Sequence, residues 1–193
     1  MDVHRRLGLS KEAFNRLHLW HEALHNALRY LKVGDHIRDK PNALDDWCEY
    51  EGPTRRAKAR TAFIAQSGLT EAALIMVRQV FSTGREGPGV AGNHNPEVER
   101  LRKEMQQATQ QALAWTDEEY ADQYGFFRDQ RNYFLAHYDG TQADYHEPNE
   151  HIASMKMVGA NLSASERDKL EALVMEMLRW LECRLYPARP TGE

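Results

Sequence analysis

The sequence predicts an all-α fold, an up-and-down bundle of about five helices, and three observations carry that expectation. Apolar residues recur three or four positions apart along most of the chain, which is the spacing of one helix face. Residues suited to helix capping stand immediately before several of these stretches, where a side-chain oxygen can take up orphan backbone N–H groups. No segment alternates apolar and polar residues convincingly enough to read as a strand.

The first helix is expected from about Ser10, as N-cap, to Val33. Its stripe is Ala13, Leu17, Trp20, Leu24, Leu28 and Leu31, and Gly34 is its expected stop. Residues 34–52 then read as a loop with room for one helical turn around Trp47. A second helix should span about Pro53 to Ser82, with a kink at Ser67-Gly68. Its half from Leu69 to Phe81 is apolar on nearly every face, the pattern of the most enclosed helix of a bundle. The stretch STGREGPGVAGNHNP is a connector rich in glycine and proline. Asn95 then caps a third helix with Pro96 at its first position, and that helix continues to about Trp115.

A fourth helix starts at Thr116, whose spacing to Glu119 fits a capping box, and should end near Asp139-Gly140. An irregular segment follows to about Leu162. The last helix opens on a second capping box, Ser163 to Glu166, and carries Leu170, Leu173, Val174, Met177, Leu178, Leu181 and Leu185 before Tyr186-Pro187 ends it. One domain is expected over residues 10–187, with 1–9 and 188–193 as flexible termini.

Composition narrows the function classes. With 193 residues there is enough chain for one domain with a sizeable core. A formal net charge of −4 excludes a basic nucleic-acid coat, so any nucleic-acid contact must rest on a local patch. No apolar run approaches the roughly 20 residues of a spanning helix. The opening MDVHRRLGLSKEAF lacks the apolar core of a signal peptide, so a cytoplasmic protein without membrane contact is expected. Cys48 and Cys183 are the two cysteines and neither has a CxxC partner, which argues against a disulfide scaffold or a cysteine-rich zinc site.

Three constellations could carry chemistry. In the fourth helix, Tyr124, Phe127, Arg131, Phe134, Leu135 and Tyr138 fall within about 60° of Tyr120 on a helical wheel. Arg131 therefore sits in an apolar stripe, where a guanidinium needs a partner or a polar cavity. His137 projects about 120° away from Arg131 on a regular helix. The two can address one substrate only at a helix distortion or a seam between subunits. The plainer reading pairs Arg131 with a core carboxylate and leaves His137 to stabilise the helix C-terminus.

The second constellation is His21-Glu22-Ala23-Leu24-His25, a literal H-E-x-x-H with His18 one turn earlier. That spacing allows two imidazoles to hold zinc while glutamate acts as base. Glu49 or Glu51 could supply a further ligand. No strand-rich region precedes it and no G-x-x-H follows it, so a catalytic zinc centre is not expected. The histidines flank the apolar stripe and read as boundary residues, with a metal site built on His18, His21 and His25 as the alternative. The third is Arg55, Arg56, Lys58 and Arg60, four positive charges in six residues, readable as a solvated face or as an RNA-approach surface. GREGPGVAG lacks the Lys-Ser/Thr ending of a phosphate-binding loop.

The string Arg131-Asn132-x-x-x-Ala136-His137 followed by Tyr138 and Asp139 resembles the signature of HEPN-domain proteins, an arginine and a histidine four to six residues apart. It looks most like the abortive-infection branch, with Asp139 at that branch's acidic position. The resemblance covers about half the chain, and Tyr133-Phe134 departs from it where a lysine commonly follows the asparagine. It implies a metal-independent endoribonuclease that needs no cofactor and acts as a homodimer, with two copies of the motif lining one cleft. The ribose 2′-OH would attack the adjacent phosphate. His137 would serve as general acid or base, Arg131 would stabilise the phosphoryl charge, and Asn132 would position one of them. It further implies toxin or phage-defence biology with a cognate antitoxin such as a small nucleotidyltransferase. Phe126 and Tyr133 would then lie near the dimer contact. A catalytically silent helical dimerisation or interaction module is the rival, and a histidine-based metal-binding bundle a third reading.

Overall fold

The computed structural model describes residues 3–40, 55–81, 95–136, 145–146, 154–155 and 162–187. Six helices appear among them: α1 (Val3–Arg6), α2 (Lys11–Asp39), α3 (Arg55–Phe81), α4 (Pro96–Ala112), α5 (Asp117–Ala136) and α6 (Ala164–Leu185). The fold is the expected all-α bundle, with five long helices and the single turn α1. A two-residue antiparallel pair, β1 (Tyr145–His146) and β2 (Ser154–Met155), sets Tyr145 opposite Met155 in the segment before α6.

α2 is the central element, packing on α1, α3, α4 and α6, while α4 also lies on α6 and α5 on α3. The core is built from the expected stripes. Leu17, Leu24 and Leu31 of α2 meet Ala73 and Val80 of α3, Leu101 and Met105 of α4, and Leu170, Val174, Met177 and Leu181 of α6. In the second half of α3, Ala73, Leu74, Val77 and Val80 are buried, and Ile75 stays 40% exposed on the outer face. α3 is one continuous helix through Ser67-Gly68.

The caps behave as their chemistry requires. Ser10 Oγ accepts from the Ala13 N–H, and Asn95 Oδ1 accepts from the Glu97 and Val98 N–H groups. These two helix starts also hold each other. Asn95 Nδ2 donates to Glu12 Oε2 at 2.8 Å, and the Ser10 N–H donates to the Glu97 carboxylate at 3.3 Å. α2 and α4 therefore begin at the same end of the bundle. Both capping boxes form: Thr116 N–H to Glu119 Oε2 with Glu119 N–H to Thr116 Oγ1, and Ser163 with Glu166 in the same way.

Two helix ends share one hydrogen-bond pattern. After α1, the Leu9 N–H reaches His4 O and the Gly8 N–H reaches Arg5 O, with Gly8 at φ +67°. After α4, the Trp115 N–H reaches Gln110 O and the Ala114 N–H reaches Gln111 O, with Ala114 at φ 53°. Each is a Schellman closure, which needs a left-handed residue. Glycine adopts that conformation without cost and alanine does not. The first closure lies within residues 1–9, and Leu9 is buried in the core.

The largest departure concerns Gly34. It is not the stop of the first helix but an interior residue of α2, which continues for five more residues to Asp39. The reason is Arg167. This α6 side chain is only 6% exposed, and its guanidinium donates from Nη1 to Thr70 Oγ1 (2.7 Å) and from Nη2 to Leu31 O (3.1 Å) and Asp35 Oδ1 (2.7 Å). A Cβ on Gly34 would lie 3.3 Å from Arg167 Nη2. The glycine is thus the gap through which a buried arginine reaches the α2 backbone.

Removing one member of such a buried pair strands its partners, so Arg167→Ala is expected to cost about 3 kcal/mol in urea unfolding, and Arg167→Met, which keeps the volume, less. Gly34→Ala should gain less than the ~1 kcal/mol usual for glycine-to-alanine in a helix, and recover that full gain in an Arg167→Met background. Equal effects of Gly34→Ala in both backgrounds would refute the close-approach account.

Ala114→Gly is expected to stabilise the protein by up to about 1 kcal/mol, because relief of the left-handed alanine outweighs the added chain entropy. A lowered melting temperature would contradict it. Hydrogen bonds to Thr116 hold the Glu119 carboxyl below its ordinary value. The folded value lies below the unfolded one, so the cap contributes above about pH 4.5 and is lost as pH falls through the folded value. Amide exchange in the first turn of α5 should therefore accelerate in acid, and Glu119→Gln should flatten that dependence.

Candidate functional site

The α5 constellation is anchored by its first half. Phe127 is buried, and Tyr120 and Tyr124 pack against the core from partly buried positions, so this part of the stripe faces inward as expected. The Tyr120 hydroxyl and Gln123 Oε1 are enclosed without a hydrogen-bond partner among the described residues. Burial, reinforced by neighbouring Tyr124 and opposed by Arg102, drives the Tyr120 phenol well above its ordinary range. Phe126, expected near a dimer contact, packs partly buried against the chain's own core and edge-on to Phe127, with ring centroids 5.6 Å apart.

Arg131 and Asn132 lie in the last two turns of α5, with Arg131 one turn beyond Phe127. Their side chains, and that of Tyr133, are outside the described residues, as are His137, Tyr138 and Asp139. Arg55, Arg56, Lys58 and Arg60 fall in the first two turns of α3, again with side chains outside the described set. Glu49 and Glu51 also lie outside it. The buried arginine that the structure does display is Arg167, on a different helix, with Asp35 as its carboxylate.

His18, His21 and His25 of α2 are fully described, and the three do not come together as the alternative metal-site reading would have them. His18 turns to aromatic neighbours, edge-on to Phe14 with centroids 4.5 Å apart and 6.1 Å from Tyr186. His21 and His25 instead converge with Glu182 of α6. Their Nε2 atoms are 3.2 Å apart, and Glu182 Oε1 stands 3.7 Å from His21 Nε2 and 3.6 Å from His25 Nε2. The two imidazoles meet edge-to-face at 77°, and Tyr186 stands 5.8 Å from the His21 ring.

Helix geometry explains half of this cluster, since residues four apart share a face. The antiparallel docking of α6 on α2 explains the rest. Arg167 reaches Leu31 and Asp35, Glu171 pairs with Lys32, and Glu182 reaches back to His21 and His25. Partial burial and the nearby His25 lower the His21 pKa from 6.5, against the pull of the Glu182 carboxylate. His21 therefore favours its neutral, electron-pair-donating form.

Glu22, the base of a catalytic H-E-x-x-H, lines a groove with Leu19, Trp20, Met76 and Gln79 between α2 and α3. It thus serves a different helix face from the one that meets α6. Glu182 was missed in the sequence because nothing in α6 announces which α2 residues it will oppose. No family model, no curated protein and no solved structure matches the chain.

Proposed function

We propose that this protein is a metal-independent endoribonuclease of HEPN type, acting on cytoplasmic RNA as a homodimer, in a toxin–antitoxin or phage-defence setting. The observation that carries the reading is the Arg131-Asn132…His137 string. It begins in the last turns of a bundle helix, α5, whose preceding stripe is anchored in the core. The all-α architecture is consistent with the same resemblance.

In this mechanism a ribose 2′-OH attacks the adjacent phosphorus and the 5′-oxygen leaves, giving a 2′,3′-cyclic phosphate. His137 moves the proton, a task imidazole suits because its two nitrogens can give and take a proton near neutral pH. Arg131 holds the non-bridging oxygens through charge-assisted hydrogen bonds, and Asn132 orients the phosphate or the imidazole. Tyr138 and Asp139 support the pair. Arg55, Arg56, Lys58 and Arg60 give the approaching backbone a cationic path. A regular helix turns Arg131 and His137 to different faces, which is why a second subunit is part of the reading. A small nucleotidyltransferase is the kind of antitoxin that fits.

His137→Ala and Arg131→Ala should each reduce RNA cleavage by roughly a hundred- to a thousandfold, the ~3–4 kcal/mol effect of one well-placed charge or donor. The wild-type product should carry a cyclic phosphate, and EDTA should leave cleavage by the folded protein unchanged. Circular-dichroism melts of each variant separate lost chemistry from lost structure. Equal toxicity of all three versions on induction in bacteria would remove this pair from the mechanism. An absence of cleavage and toxicity in every version would identify a silent interaction module instead.

A further inference from the structure

We propose that His21, His25 and Glu182 form a three-ligand zinc site that clips α6 to α2 and leaves the fourth position to water.

The argument starts from spacing. The circle through the two Nε2 atoms and Glu182 Oε1 has a radius of about 2.0 Å, and Zn–N and Zn–O bonds are about 2.0–2.2 Å. One ion slightly off the plane of the three atoms therefore meets all of them without moving either helix. The ligand-to-ligand distances of 3.2, 3.6 and 3.7 Å bracket the about 3.3–3.6 Å edges of a tetrahedron with such bonds.

Proton chemistry accounts for the cluster less well. One hydrogen bond can join the two imidazoles, and the carboxylate oxygen stands within ion-pair range of both Nε2 atoms but beyond hydrogen-bond distance from either. It is nearly equidistant from the two, as a ligand of a shared ion is.

The donor set selects the ion. Two imidazole nitrogens and one carboxylate suit a borderline divalent metal such as zinc, whereas magnesium and calcium prefer oxygen ligands throughout. The site is accessible: the side chains of His25 and Glu182 are 39% and 51% exposed, so an ion can enter and water can complete its shell. Glu22 faces the α2–α3 groove and supplies no base to a bound water. The site accordingly acts as a clamp between helices, independent of the nuclease reading.

The test uses full-length protein without a histidine tag, stripped with chelator and then titrated with Zn2+ against a competing indicator, with thermal melts in parallel. One equivalent should bind and the melting temperature should rise with zinc concentration. Loss of a direct ligand should cost at least what loss of an outer-sphere partner costs, about 10- to 100-fold in affinity. His25→Ala and Glu182→Gln should both show that loss, whereas His18→Ala should bind as the wild type does. A histidine pair on one helix chelates divalent ions by itself, so Glu182→Gln decides the matter. Wild-type affinity in Glu182→Gln, or no saturation at one equivalent, would overturn the proposal. Melts of the metal-free variants show whether each is folded.

Discussion

The buried guanidinium of Arg167 is the constraint to which the bundle is fitted. A charge this enclosed is costly unless it is paired, and here both terminal nitrogens are met from two other helices, by Thr70 on α3 and by the Leu31 carbonyl with Asp35 on α2, while Nε is left enclosed without a partner among the described residues. Apolar stripes specify register less sharply, since similar volumes can be packed in more than one way. The guanidinium is not permissive, because it demands particular oxygens at particular positions. It accepts one axial register of α6 against α2, and that register in turn brings Glu171 to Lys32 and Glu182 to the two histidines. Gly34 belongs to the same constraint from the other side, as the place where α2 carries no side chain in the path of the arginine.

Features written in local chemistry were legible in the sequence. Ser10, Asn95, Thr116 with Glu119, and Ser163 with Glu166 all cap as their side chains allow, because a cap is decided within four residues. Helix stops were harder to read. A glycine ends a helix in one place, at Gly8, and sits inside one in another, at Gly34. The close of α4 uses an alanine that no rule of composition flags. The arginine that the structure shows buried is Arg167, which directly follows a capping box and so reads in the sequence as an ordinary first-turn residue.

The candidate sites divide along the same line. The Arg131…His137 string is visible because a helical motif needs only its own spacing. The His21–His25 pair was visible for that reason too, while its third member was not. Glu182 is an unremarked surface glutamate until α6 docks, and its partnership is a product of register. His18 shows the converse: it is adjacent in sequence, yet the ring contacts with Phe14 and Tyr186 draw it out of the cluster.

The paired starts of α2 and α4 bear on how this chain tolerates change. Asn95 with Glu12 and Ser10 with Glu97 fix where α4 begins relative to α2, so the position of α4 does not have to be dictated by the length of the residues leading into it. Closing a longer connection costs little, about 0.6 kcal/mol for each doubling. The glycine-rich stretch between Phe81 and Asn95 is thereby released from the duty of a ruler. In this architecture it is the natural place for a lineage to lengthen, shorten or exchange sequence, or for an experimenter to splice in a reporter, while the helices on either side keep their stations.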